Sequence, residues 1–273
     1  MVRMSDTERY LKSLEITAPL QDPIMRSAIE ELNLKEGSIG LDVGCGIGLQ
    51  VMMLAEAVGD KGHVTGLDIS SEFLSHAEEI LKENGLFDRT TFIEGSMEEL
   101  PFDDDTFDWT WSANCVGYNP HEPPIPLLKE LKRVVKPKGT VALIAWSSEE
   151  LLPGYPILEA RLKGTTAGIA PFAEGKKPET HFHRALSWFN RLGFEDTRAQ
   201  VFSGSVCEPL SDKTREALSA LIEMRWPNAE SELEPRYKKE FQRLCDLDSP
   251  DFILNLPDYY AFYTYSMFWG KAP

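Results

Sequence analysis

Cysteine is scarce and scattered: Cys45, Cys115, Cys207 and Cys245 are the only four in 273 residues, and no two stand as C-x-x-C. That spacing excludes a disulfide framework and a cysteine-built zinc site, so reduced thiols are expected. Basic residues are also short. Lys and Arg number 28 against 44 Asp and Glu, a formal charge of −16 with a pI near 4.8. Such a surface repels phosphate backbones and anionic lipid headgroups, so neither nucleic acid nor membrane is an expected partner. No apolar run approaches the roughly 20 residues that span a bilayer, and residues 1–10 lack the apolar core of a secretion signal. A cytoplasmic protein is expected. What the chain does have is a 42% hydrophobic content, enough for one large globular domain or one domain with a substantial insertion.

The most informative segment is I-G-L-D-V-G-C-G-I-G-L-Q at 39–50, an apolar run that reaches Asp42 and then Gly44, Gly46 and Gly48 before a helix-like stretch. A strand that ends in glycines and feeds a helix predicts bare backbone N–H groups against a small polar ligand. The dinucleotide turn G-x-G-x-x-G fails here, because its third glycine falls on Leu49. The spacing is G-x-G-x-G with an acid two residues ahead. That pattern resembles motif I of the class I S-adenosylmethionine-dependent methyltransferases, whose cofactor carries no phosphate. An acid at the turn suits a ligand with a cationic amino group and a sulfonium.

Further segments match the same family in order. H-V-T-G-L-D at 63–68 reads as a second strand ending in Asp68. An acid about 20 residues beyond the turn accepts the ribose hydroxyls in dinucleotide folds, and as a strand-end residue Asp68 also suits the cap of a helix beginning near Ser70. E-G-S-M-E-E-L-P-F at 94–102 resembles the family's G-D-A-x-x-L-P-F, with Ser96 and Met97 where the adenine contacts fall. Met97 reads equally as core packing. F-D-W-T-W-S-A-N at 107–114 is a buried-looking strand that brings Asn114 to the methionine end of the cofactor. The helix, K-P-K-G turn and fifth strand of 128–146 match the family's fold. The cofactor set implied by the resemblance is Tyr10, Asp42, Gly44, Cys45, Gly46, Gly48, Asp68, Ile69, Ser96, Met97 and Asn114, around S-adenosyl-L-methionine. The fold it implies is α/β and doubly wound. Its seven-stranded sheet is mostly parallel and Rossmann-like, with an antiparallel edge strand, an N-terminal helical lid and a helical insertion between the last two strands.

Along the chain, residues 1–34 form the expected lid, as two helical segments separated by Pro19 and Pro23; residues 35–148 form the cofactor-binding core. Residues 149–273 carry the rest of the sheet within the same domain, with the insertion at about 211–247. In that insertion Leu218, Leu221, Ile222 and Trp226 share one helix face. Of 28 aromatic residues, 18 lie between 150 and 273, which suits an aromatic cap over the methyl donor and suits a subdomain core equally.

Methyl transfer asks the protein to align the acceptor and exclude water, with a general base only where the acceptor loses a proton. Tyr118 and His121, in V-G-Y-N-P-H-E-P-P after the fourth strand, are the candidate catalytic residues. His181 and His183 form a His-x-His pair without a third metal ligand, so no metal is expected. The segment S-A-N-C-V at 112–116 also resembles arsenite methyltransferases, with Cys115 in the thiolate's place. Three readings stay open. The first is methyl transfer to a small, partly apolar molecule, as in the quinone-biosynthesis C-methyltransferases; the metalloid enzyme is a variant of it. A nicotinamide-dependent oxidoreductase and a non-catalytic cofactor-binding protein are the others.

Overall fold

The computed structural model describes residues 6–117, 124–169 and 177–273. Its sheet has seven strands: β1 Ile39–Val43, β2 His63–Asp68, β3 Thr90–Glu94, β4 Phe107–Ala113, β5 Val135–Glu150, β6 Glu195–Cys207 and β7 Tyr260–Lys271. The spatial order is β3-β2-β1-β4-β5-β7-β6. β1 pairs in parallel with β2 and β4, β2 with β3, and β4 with β5. β7 runs the other way: Lys138 N donates to Ala272 O and Ala272 N to Gly139 O, while Ser147 faces Thr264 through their hydroxyls. Partner numbers that rise on one strand as they fall on the other define an antiparallel pair. The central parallel strands β1, β2 and β4 are short and largely buried, and β1 has four of its five residues buried.

The helices between these strands follow from ordinary signals. α1 spans Asp6–Glu31, α2 Leu49–Ala57 and α3 Ser71–Glu83. In α3 the Ser70 hydroxyl accepts the Phe73 N–H, Leu74, Ala77 and Leu81 bury one face, and Gly85 at φ +69° ends the run. α4 covers Pro124–Val134, with Leu127, Leu128, Leu131 and Val134 buried. Its Arg133 donates to the Leu100 and Phe102 carbonyls while Glu130 accepts from Leu100 N, which pins the loop after β3. Arg133 also donates to Glu130, and this bond, with the one from Leu100 N, holds the Glu130 carboxyl below its usual range.

Two expectations are corrected here. α1 is one helix that keeps Pro19 and Pro23 inside it instead of breaking there. Side chains tie the turns that precede the first proline: Ser13 Oγ donates to Tyr10 O and Thr17 Oγ1 to Ser13 O. The K-P-K-G segment is no separate turn. It lies inside β5 as an irregularity, with Lys138 at φ +66° and the register with β4 shifting between Phe107 and Trp109.

The chain forms two compact units. One holds residues 1–24, 147–174 and 203–264, with α5 Pro156–Lys163, α6 Thr166–Ile169, α8 Asp212–Arg225 and α9 Pro235–Cys245. Leu218, Leu221, Ile222 and Trp226 are all buried, as the helix face required. Two of its buried carboxylates are paired: Arg225 donates to Glu149 at 2.9 Å, and Glu159 accepts from the Leu151 and Leu152 N–H groups. Burial pushes the Glu159 carboxyl up to about 7. The other unit, residues 25–146, 175–202 and 265–273, carries the glycine turn and α7 Ala185–Arg191. Among the described residues no helix is long and apolar enough to cross a membrane.

Candidate functional site

In this second unit the strand order reverses between β1 and β4, and crevices of open α/β sheets lie at that point beyond the carboxyl ends of the strands. Both strand ends meet there. A Cβ on Gly44, whose φ is +75°, would fall 2.3 Å from Cys115 Sγ, so the backbone of the first turn presses directly on the residue after Asn114. Gly46, at φ +53°, is different: its Cβ position has nothing within 4 Å. Glycine at 44 permits close packing, whereas glycine at 46 keeps a space open.

The backbone donors of the turn are not bare. Gly44 N and Cys45 N both donate to Leu67 O, Gly48 N donates to Cys45 O, and Gly46 N donates to Asp68 Oδ2 at 2.9 Å. The expectation of N–H groups aimed at a ligand is therefore corrected. A neighbouring strand end and its carboxylate satisfy them first. Asp68 Oδ1 accepts from Ser70 N at 3.0 Å, so this acid fixes the turn on one side and the start of α3 on the other. A carboxylate has about four acceptor positions, which leaves capacity for a ribose hydroxyl.

Asp42 lies in β1, two residues ahead of Gly44. It is fully buried, and neither carboxylate oxygen has a hydrogen-bond partner. Burial, and then the charge of Asp68, push its carboxyl well above the usual range. The same burial and both acids push the Cys45 thiol up, which makes Cys45 an inert buried group. Residues 39–50 contain no Lys, Arg or His. Two acids and, within 39–50, no cation oppose a pyrophosphate and fit a ligand whose positive charge would draw the proton off Asp42.

The remaining cofactor candidates fall as follows. Gly95 N donates to Asp68 O, which brings Ser96 and Met97 beside the second strand end. Ser96 is exposed and its hydroxyl accepts from Glu98 N, while Met97 packs on the apolar core. Ile69 is 74% exposed next to Asp68, an open apolar face of the kind an aromatic ring covers. Asn114, at φ +55°, spends its amide oxygen on Trp146 N and so ties the end of β4 to the interior of β5. Tyr10 is half exposed on α1, in the unit that does not carry the glycine turn. Tyr118 and His121 lie outside the described residues.

Sequence reasoning passed over one contact. Trp188 of α7 lies against Gly117, where a Cβ would fall 2.3 Å from the indole, and Gly117 sits at φ +72°. The signal was the glycine two residues after Cys115. A cavity of about 330 Å³ lined by Lys35, Ser38, Asp108, Lys136 and Gly139 is at the amino ends of β1 and β4, away from this site.

Doubly wound topology, a glycine turn flanked by two acids and an open space at Gly46 define a nucleoside-cofactor site built for a cation. The comparisons agree. Residues 41–139 match the family described as methyltransferase domain. The demethylmenaquinone methyltransferase of Bacillus pumilus is 39% identical over 188 residues, 64% of this chain and 78% of that one. That of Bacillus subtilis is 40% identical over 122 residues, 44% of this chain and 50% of that one, so the chain spans about half the length of several curated relatives it matches. Among solved structures, phosphoethanolamine N-methyltransferase 2 of Haemonchus contortus aligns over all of this chain and 59% of that one, with a TM-score of 0.58 and 16% identity. The YcgJ protein of Bacillus subtilis aligns over 92% and 98%, with a TM-score of 0.55 and 14% identity. The chain belongs to the class I S-adenosylmethionine-dependent methyltransferase family.

Proposed function

We propose that the protein transfers the methyl group of S-adenosylmethionine to a small, largely apolar molecule, a ring of the quinol type. One observation carries the cofactor half: the glycine turn holds an open space at Gly46 between two acids in sequence, the buried Asp42 and Asp68, and its segment 39–50 carries no cation. Asp42 faces the positive charge of the amino acid portion, Asp68 the ribose, and Ile69 with Met97 the adenine. When bound, the cofactor supplies an activated methyl carbon. The chain's own task is to hold the acceptor in line and keep water away. The ring-type acceptor follows from the relatives named for demethylmenaquinone. A cytoplasmic setting follows from the acidic composition and scattered cysteines.

Calorimetric titration with S-adenosylmethionine and with NAD tests the cofactor. Binding of the first alone is expected, and binding of NAD alone overturns the reading. A methyl-release assay across phenols, quinols, amines and thiols tests the acceptor. Asp68→Asn keeps one acceptor oxygen and the volume but removes the charge. It is expected to weaken S-adenosylmethionine roughly 10-fold, the worth of about one hydrogen bond. An unchanged Kd in a folded variant removes Asp68 from the cofactor contacts.

A further inference from the structure

The connection from β3 to β4, residues 95–106, runs from the carboxyl end of one strand to the amino end of the other with no helix or strand of its own. Its backbone groups must find partners elsewhere. Three of them find the same two side chains. Glu130 Oε2 accepts from Leu100 N at 3.0 Å, while Arg133 donates through Nη2 to Leu100 O at 2.9 Å and through Nη1 to Phe102 O at 2.7 Å. Leu100 is thus gripped at both its N–H and its C=O. The other guanidinium hydrogens go to the two oxygens of Glu130 and to Asp104, so every donor of the Arg133 fork is spent. Glu130 and Arg133 stand at i and i+3 of α4, so one helical turn presents the whole clasp.

The segment held in this way starts at Asp68. Gly95 N donates to Asp68 O at 3.0 Å, and the Pro101 ring lies 3.6 Å from the position a Cβ on Gly95 would take, so residues 95–101 close into a loop. Leu100 is buried, and Met97 and Phe102 pack on the apolar core, Phe102 edge-on to Phe107 with centroids 5.0 Å apart. Ser96 is exposed. One end of the loop is therefore fixed by the strand that carries Asp68 and the other by the ion pair on α4. A purine is bonded directly to its ribose. With the ribose hydroxyls at Asp68, the base is the part of the cofactor that meets the loop leaving Asp68's own carbonyl.

We propose that Glu130 and Arg133 are positioning residues for the purine of the cofactor: from α4 they fix the loop 95–101, and through it the affinity for the base, without touching the cofactor themselves. This rests on the S-adenosylmethionine reading. The planar fork is the part that matters. A lysine at 133 carries the same charge, but a single ammonium on a flexible stem does not hold Leu100 O, Phe102 O and Glu130 together. The loop then occupies positions besides the one that fits the base, and binding bears the cost of ordering it. The ribose and amino acid portions, held from β1 and β2, are unaffected.

The test uses the full chain and two probes, S-adenosylhomocysteine and S-ribosylhomocysteine, which share the ribose and amino acid portions and differ in the base. By calorimetry Arg133→Lys is expected to weaken the first about 10-fold and the second by less than about 2-fold. Glu130→Gln, which keeps an acceptor for Leu100 N, is expected to fall between that variant and the parent, and it carries the same comparison if Arg133→Lys does not fold. Hydrogen exchange at the Leu100 amide is expected to quicken in free Arg133→Lys and to slow again with S-adenosylhomocysteine bound. Kd is a property of the folded fraction, so a loss of stability alone leaves it unmoved. Equal weakening of both probes marks damage to the whole site and overturns the proposal, as does an unchanged Kd for S-adenosylhomocysteine in Arg133→Lys. So does a parent that binds S-adenosylmethionine but holds S-adenosylhomocysteine no better than S-ribosylhomocysteine, an outcome that leaves the methyltransferase reading standing. A parent that binds neither S-adenosylmethionine nor S-adenosylhomocysteine overturns both.

Discussion

Gly46→Ala is expected to weaken S-adenosylmethionine binding roughly 100-fold while the protein stays folded. Nothing of the protein lies within 4 Å of the added methyl, so the apoenzyme meets only the cost of a left-handed backbone at φ +53°. That cost is about 1–2 kcal/mol, a few degrees in Tm for a chain of this size. The methyl group instead occupies the space left for the cofactor, and overpacking a fitted site costs about 1–3 kcal/mol. Gly44→Ala is the contrasting case. Its methyl meets Cys115 Sγ at 2.3 Å, so the first loss is in folding, and Cys115→Ala in the same chain is expected to recover part of it. Thermal unfolding and calorimetry on the three variants separate the effects. A Gly46→Ala protein that binds as the parent does shows that the open side of the turn is not the cofactor's side.

Most of this site was legible because it rests on local signals. A strand that stops at an acid, three glycines at alternate positions and a second acid after the next strand are properties of short segments, and the structure places both strand ends together as the spacing required. What the segments did not disclose was the traffic of hydrogen bonds between them. Gly44, Cys45 and Gly46 give their N–H groups to Leu67 and Asp68, a choice that exists only once β1 and β2 are side by side. Long-range satisfaction of backbone donors leaves no periodic trace in a sequence. The same holds for Gly117, whose glycine is required by Trp188, 71 positions away. The prolines of α1 erred in the other direction. Local rules read Pro19 and Pro23 as breaks, yet the helix runs through both. The buried helix face of Leu218, Leu221, Ile222 and Trp226 was plain from their spacing, while its place between the last two strands was implied by the family resemblance.

Cofactor affinity is expected to rise as pH increases above the ordinary carboxylate range, by up to about 10-fold per unit, with release of up to one proton on binding. The source is Asp42. Its carboxyl is buried without a partner and is held well above its ordinary value by burial and by Asp68, so the apoenzyme keeps it protonated into a range where a free aspartate is ionised. A cationic ligand reverses the balance and favours the carboxylate, which must then give up its proton. Below the apoenzyme's value each unit of acidity opposes binding tenfold; above it the dependence disappears. Calorimetry in two buffers of different ionisation enthalpy counts the protons directly. The sign for stability is opposite. Between the unfolded and folded values the native state binds more protons, so the apoenzyme loses stability as pH rises through that window. Asp42→Asn removes both effects. The variant is expected to unfold at an equal or higher temperature than the parent, to bind S-adenosylmethionine about 100-fold more weakly, and to bind it equally across the pH range in which the parent's affinity rises. Identical heats in the two buffers, together with an affinity that does not move with pH in the parent, would show that Asp42 stays neutral beneath the bound cofactor and that Asp68 alone answers its charge.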